Sequence, residues 1–466
     1  MSGGETPETG NGDQAHGNQA HGDGAAGEKA SRTLHVAMLA RVEGEASMRV
    51  RVESGQVSEV ELRIFEPPRF FEALLRGRAW TEPPDITARI CGICPVAYQM
   101  SACQAIEDVC QVTIPPPLAN LRRLLYCGEW IESHALHVYL LHAPDFLGYA
   151  SAIDLAREHR DAVERGLRLK KAGNAIMTVI GGRAVHPVNV RVGGFYRLPS
   201  AEEMRGLRAA VAAALDDALA TVGFVAGFDF PDFTHEATYV SLRPAAGYPI
   251  EAGQVVTSGG VTFPVAEFDV HVTEEQVPHS HALHARLRGP GLDDAGPYLV
   301  GPLARYSLNS AALSPLAAQA ASAAGLGPVC RNPFRSIIVR AVELTYACEE
   351  ALRLIDEWEG APAPAVAVAP VAGTGYGATE APRGLLYHRY QLAGDGTITD
   401  ARIVPPTSQN QISIEQDLRN FVQPRLGLES AELTRQCEQA IRNYDPCISC
   451  ATHFLDLTVV DDTVID

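Results

Sequence analysis

The sequence predicts an α+β fold, predominantly helical, with long central helices and small sheets. Three observations predict it. The stretches Leu118–His142, Ala152–Thr178, Ala201–Val222 and Ile337–Trp358 repeat apolar side chains every three to four residues, the spacing of one helix face. Residues 34–65 instead alternate apolar and polar side chains, the period of a half-buried strand. Residues 225–330 are broken by Gly and Pro and hold only short β-like runs such as Gln254–Val261.

The elements follow in chain order. Residues 1–31 hold Gly, Glu, Ala, Asn and His and almost no large apolar side chain. Such a segment cannot bury enough surface to offset the entropy of ordering, so a disordered tail is expected there. His16 and His21 recur in that tail in Gln-Ala-His-Gly contexts, which plain solvation accounts for. The folded domain is expected over 32–453. Within it, Met48, Val50 and Val52 point one way, and Val60, Leu62 and Ile64 do so beyond the turn Glu53-Ser54-Gly55-Gln56. That is a small N-terminal sheet containing a hairpin. Pro95 opens a helix running through Ala97–Val109, at a position where its missing N–H costs nothing. Residues 225–330 read as an inserted lobe, and Ala361–Pro370 as a linker. Two shorter helices, near Ile412–Val422 and Ser430–Asn443, lead to the end of the chain.

Composition narrows the function. The chain has 466 residues, 46% hydrophobic, and a net charge of −18. No basic block offers itself to nucleic acid or to an anionic membrane surface. No run of about 18 apolar residues suggests a membrane span. No G-x-G-x-x-G follows a strand, so a nucleotide site is expected on another subunit. Of the ten cysteines, Cys103, Cys110, Cys127, Cys330, Cys348 and Cys437 are scattered through apolar stretches. They read as buried thiols of a reducing, cytoplasmic compartment.

The other four form two Cys-x-x-Cys pairs at opposite ends: Cys91-Gly92-Ile93-Cys94 and Cys447-Ile448-Ser449-Cys450. Two intervening residues let both sulfurs of a pair face one metal, and four thiolates make a closed soft-ligand site. More than 350 residues separate the pairs, so a shared site would stitch the two ends of the fold together. A structural zinc ion fits the same four sulfurs. The flanks say more. Arg89-Ile90 and Pro95 frame the first pair, Asp445-Pro446 and Ala451-Thr452-His453 the second. With these motifs the chain, from about Leu34 onward, resembles the large subunit of nickel–iron hydrogenases, and most of all their cytoplasmic, NAD(P)-linked and sulfhydrogenase-like branch. Tyr98, where many membrane-linked relatives carry His, agrees with that branch.

The resemblance implies the following. Cys91 and Cys447 are terminal nickel ligands. Cys94 and Cys450 also bridge to an iron that carries carbon monoxide and cyanide. Glu43, in Arg41-Val42-Glu43-Gly44, relays protons, with Glu45 standing where many relatives have His. Glu72, His453 and the carbonyl of Ile403 hold a magnesium or second iron ion. In Glu380-Ala381-Pro382-Arg383-Gly384, Pro382 and Arg383 lie over the metals. Thr407 is a second cyanide donor, and Asp445 pairs with Arg383. Asp145 lies near Arg383, and His186 supports the metal ligands. His134, His137 and His142 are more simply buried histidines than a metal face. The implied reaction is the reversible splitting of H2, with the proton leaving through a cysteine sulfur and Glu43. Electrons pass to an iron–sulfur small subunit and on to flavin/NAD(P) and iron–sulfur diaphorase subunits. A hydrogen-sensing regulatory subunit is the alternative. Metallochaperones and a maturation endopeptidase are implied too, the latter removing 454–466 by cutting after His453.

Overall fold

The expected long helices form the centre of the molecule. The computed structural model describes residues 31–66, 70–236, 238–289 and 296–452. The tail 1–30, His453 and the extension 454–466 lie outside the described residues. The helix Pro116–Leu136 packs against Arg160–Gly181 and Ser336–Asp356, and the last of these packs on Ala201–Ala226. Their apolar faces, including Leu121, Ile131, Leu169, Ile176, Val211, Ile338 and Val342, make the core.

Two helices differ from their sequence outline. Ala152–Thr178 is two helices, Ala152–Glu158 and Arg160–Gly181, parted at His159, whose φ of −122° and ψ of 47° leave the helical region. A periodic pattern reads straight through a break of one residue. Past Leu136 the Leu118–His142 stretch opens into a π turn over His137–His142, which widens the helix where the rings of His137 and His142 meet. The helix Ala201–Ala226 is long and apolar enough, by length and composition, to cross a membrane, against the expectation of no such segment. Asp216 and Asp217 interrupt its apolar run, and Asp217 pairs with Arg168 at 2.7 Å.

The N-terminal hairpin forms as expected. Strands Ala46–Glu53 and Gln56–Ile64 pair Met48 with Leu62 and Val50 with Val60, and Arg32–Val36 adds a third strand. Ser54 and Gly55 both take positive φ in the turn.

A second three-stranded sheet, Gly373–Ala381, Gly384–Leu392 and Ile398–Val404, was not legible as strands. Its first strand carries Gly375 and Gly377, which weaken any strand signal. The structure shows why they are there. A Cβ on Gly375 would lie 2.0 Å from the Ala105 carbonyl oxygen, and one on Gly377 would lie 2.3 Å from that of Ser101. The strand thus lies flush on the helix Pro95–Val109, which follows the first cysteine pair. The 225–330 region is not a separate lobe. Its Val240, Leu242, Phe263 and Phe268 share a core with Leu385, Tyr387 and Val404 of this sheet. It also holds helices Pro302–Asn309 and Pro315–Ala323. The Pro/Ala linker runs extended, with Phe195 N–H donating to the Pro364 carbonyl at 2.8 Å and Val366 N–H to that of Gly193 at 2.9 Å.

Candidate metal centre

Each cysteine pair leads into a helix N-terminus, where backbone N–H groups favour thiolate. Cys94 precedes the helix Pro95–Val109, and Cys447 precedes the turn of helix Ile448–Ala451. Ile93 and Cys94 N–H both donate to Cys91 Sγ at 3.3 Å. The two pairs meet: Cys91 and Cys447 sulfurs are 3.5 Å apart, Cys94 and Cys450 3.7 Å, Cys447 and Cys450 2.8 Å. All four sulfurs lie within 4.8 Å of one another and all four residues are buried. Hydrogen bonds from Cys447, Cys450 and Cys94 hold the Cys91 thiol well below its ordinary range, while burial pushes Cys447 well above its own. Four adjacent thiolates repel, so full ionisation calls for a cation among them.

The N-terminal motif closes one side. Ile448 N–H donates to the Glu43 carbonyl at 2.9 Å, and the Glu43 and Cys447 backbones form a parallel bridge. Gly44, at φ +87°, permits this approach, since a Cβ there would stand 2.6 Å from Ile448 Cβ. The Glu43 carboxylate is thereby aimed inward. Its Oε2 accepts from Cys447 Sγ at 3.1 Å and from Ser449 N–H at 3.0 Å.

Above the sulfurs lies Arg383, 2% exposed. Its Nε donates to the Asp445 carbonyl at 2.8 Å and its Nη2 to Asp445 Oδ1 at 3.1 Å. Burial works against this charge, but Asp445 and then Cys447, Cys94 and Cys91 outweigh it and hold the guanidinium protonated. Its Nη1 is buried without a hydrogen-bond partner among the described residues, a donor left for something in the site. The Pro382 carbonyl accepts from Arg305 Nη2 at 3.2 Å, which fixes the loop from behind. Thr407 Oγ1 accepts from Cys447 N–H at 3.0 Å, leaving its own O–H to donate.

Glu72 and Ile403 do meet, but through the Ile403 N–H, which donates to Glu72 Oε1 at 2.7 Å. Both line a cavity of about 490 Å³ that also takes in Ser408, Ser449, Cys450 and Thr452. His453, their expected companion, lies outside the described residues. Asp145, expected near Arg383, makes its ion pairs with two other arginines. It forms a bidentate pair with Arg442 at 2.7 and 2.8 Å and also bonds Arg41, so it braces the two motifs that carry Glu43 and Cys447. His186 Nδ1 meets the Ala88 carbonyl at 2.6 Å, just before the first pair. Tyr98 is buried, and burial together with Cys450 and Cys94 pushes its hydroxyl well above its usual range. His137 Nε2 meets the Arg442 carbonyl at 2.8 Å, and His134 Nε2 lies 3.1 Å from Glu343, so neither joins the sulfur cluster.

Sequence reasoning missed four groups here. Ser449 Oγ donates to Glu66 Oε1 at 2.9 Å, which places a second carboxylate outside Glu43. Arg340 Nη1 lies 3.5 Å from Asp445 Oδ2, so Asp445 faces two guanidinium groups. Glu129, fully buried, accepts Val96 and Ala97 N–H at 2.6 and 3.1 Å, capping the helix behind Cys94. The signal for Arg340 was available: a charged residue that interrupts the apolar stretch Ile337–Val342.

Comparison with known proteins agrees with this geometry. Residues 69–165 and 297–453 match the family described as nickel-dependent hydrogenase. The chain is 33% identical over 420 residues to sulfhydrogenase 2 subunit alpha of Pyrococcus furiosus, covering 90% of this chain and 98% of that one. It is 27% identical over 474 residues to the NAD-reducing hydrogenase HoxS subunit beta of Cupriavidus necator, covering 91% and 95%. Among solved structures, a crystal structure of an NAD+-reducing [NiFe]-hydrogenase in the H2-reduced state superposes with a TM-score of 0.80 at 27% identity. That match covers 91% of this chain and 99% of the other.

Proposed function

Since this chain belongs to the nickel-dependent hydrogenase family, as a catalytic large subunit, we propose that it splits and forms H2 reversibly at a nickel held by Cys91, Cys94, Cys447 and Cys450. The fit supports this: four buried thiols converge under a guanidinium N–H that has no partner of its own. Cys94 and Cys450 would share an iron carrying carbon monoxide and cyanide. Arg383 Nη1 and the Thr407 hydroxyl would be the donors for its cyanides, with Pro382 shaping the loop. When bound, the metals supply the Lewis acidity that polarises H2 and the redox capacity that takes its electrons.

The residues of the chain handle the proton. The observation that carries the reading is the 3.1 Å contact between Cys447 Sγ and Glu43 Oε2. A thiolate at Cys447 takes the proton, and Glu43 receives it within hydrogen-bond reach. The Ser449 N–H, 3.0 Å from the same oxygen, holds that carboxylate in line. Glu66, bonded to the Ser449 hydroxyl, is the next acceptor outward. Asp445 keeps Arg383 oriented and compensates its buried charge.

Glu72, His453 and the Ile403 carbonyl would hold a magnesium or second iron ion, which suits an oxygen-rich set. The electron partner is an iron–sulfur small subunit. The NAD-reducing relative supports flavin/NAD(P) and iron–sulfur diaphorase subunits beyond it. Relatives that carry out hydrogenase turnover favour catalysis over a sensing role. The ten unpaired cysteines suit the cytoplasm.

Two measurements test these assignments. Metal analysis of the mature enzyme should give about one nickel per chain, with iron, and infrared bands from carbon monoxide and cyanide. Cys91→Ser should lose nickel and the bands together. Zinc alone in active protein, without those bands, defeats the proposal. Metallochaperones and a nickel-dependent endopeptidase acting between His453 and Phe454 would complete the site. Intact mass of active protein should then lack the thirteen residues Phe454–Asp466; a mass that retains them rules cleavage out.

A further inference from the structure

A second group of metal-ligand side chains lies away from the cysteines, and it does not depend on the proposed function. Strands Val272–Val277 and Ser280–Leu287 form a hairpin whose register shifts between Ser280 and His284. A bulge of this kind re-aims side chains. Here it turns His279 and His284 toward each other, with ring centres 5.4 Å apart and planes at 76°. The third member is Glu415, on the helix Pro406–Val422. His279 Nε2 is 2.9 Å from Glu415 Oε1, and one ligand atom from each of the three residues lies within 4.8 Å of the others.

His284 carries the argument. It is 4% exposed, and its Nε2 is buried without a hydrogen-bond partner among the described residues. A buried, unsatisfied imidazole nitrogen is costly, and beside a second imidazole and a carboxylate its natural partner is a cation. Glu415 is held in place from behind, since its Oε1 accepts Leu62 N–H at 2.9 Å. That matches the outer hydrogen bond that orients a metal-binding carboxylate. A cavity of about 340 Å³, lined by Arg63, Phe65, Pro278, His279 and His281 among others, opens beside His279 and offers an entry path with room for water.

We propose that His279, His284 and Glu415 bind a zinc-class divalent ion, with water in the remaining position. Two imidazoles and one carboxylate suit zinc in ligand type and number. The ion ties the hairpin to the helix that carries Thr407 and, through Leu62, to the N-terminal sheet. The same hairpin supports the end of the described chain, because Ala282 forms a bridge with Thr452. The ion is a staple for the wall against which the second cysteine pair closes.

The test compares the purified holoenzyme with its H279Q and H284Q variants. Wild type should retain about one zinc per chain after dialysis, and each variant should lose it while keeping nickel and H2/D2 exchange. Zinc K-edge absorption on wild type should show nitrogen and oxygen neighbours with histidine scattering and no sulfur, a readout that needs no variant. Equal zinc in wild type and variants, a sulfur shell, or wild type that holds no zinc as purified and takes none up from zinc chloride overturns the proposal. In the last case a shared proton is the occupant of the His279–Glu415 pair.

Discussion

Glu43→Gln should keep both metals and lower H2/D2 exchange and turnover by about 10²- to 10⁴-fold, the usual worth of a positioned proton acceptor. The substitution is nearly isosteric, and a glutamine oxygen can still accept the Ser449 N–H that Glu43 Oε2 accepts at 3.0 Å. What it cannot do is take the proton offered across 3.1 Å by Cys447 Sγ. The expected signature is therefore a normal nickel content and a normal infrared spectrum with failed exchange. Exchange close to wild type would remove Glu43, and Glu66 beyond it, from the proton route.

The largest effect on stability should come from Glu343→Gln. Glu343 accepts Arg305 Nε and Nη2 at 2.7 Å each and the Tyr248 hydroxyl at 2.8 Å. Arg305 in turn reaches Glu380 at 2.9 Å and lies over the Trp130 ring at 4.3 Å. All of these side chains are fully buried. Removing the Glu343 charge strands part of a buried guanidinium, a loss of ~3–5 kcal/mol. The same group sets an acid limit. Burial pushes its carboxyl up, but Arg305 and His134 outweigh burial and hold it at about 2, against an ordinary 4.5. Its contribution is therefore full above 4.5 and drains away as pH falls toward about 2. His134, pushed down by burial to about 4 from 6.5, acts in the same direction at higher pH, because acid must charge it in place. Denaturation midpoints measured across pH 2–7 should fall steeply for wild type and more gently for the variant. A variant with the wild-type midpoint at neutral pH would show that this network carries no net stability.

What could be read from the sequence depended on how far apart the interacting residues lie. The cysteine pairs announce themselves because both members sit in one short motif, and their flanks carried the wider resemblance. The hairpin and the central helices were legible because period is a local property. The sheet at Gly373–Val404 was not, because its glycines serve a neighbouring helix rather than the strand itself. The contact of Ser449 with Glu66 joins residues 383 positions apart, and no local pattern encodes it. Asp145 shows the limit of a motif. It suggested a place near Arg383 but not the ion pairs themselves, which go to Arg41 and Arg442, two residues at either end of the domain.

The meeting of Cys91 with Cys447 closes a loop of 356 residues. Ring closure on that scale costs about 5 kcal/mol of chain entropy, to order of magnitude, before any local contact is counted. During synthesis the first pair leaves the ribosome long before its partner exists, so it must wait as an open half-site while the body between folds. The second pair can close the site only after the 352 residues between Cys94 and Cys447 have been made. A metal held between the two pairs would work as a clasp, its loss felt along all the chain that lies between them.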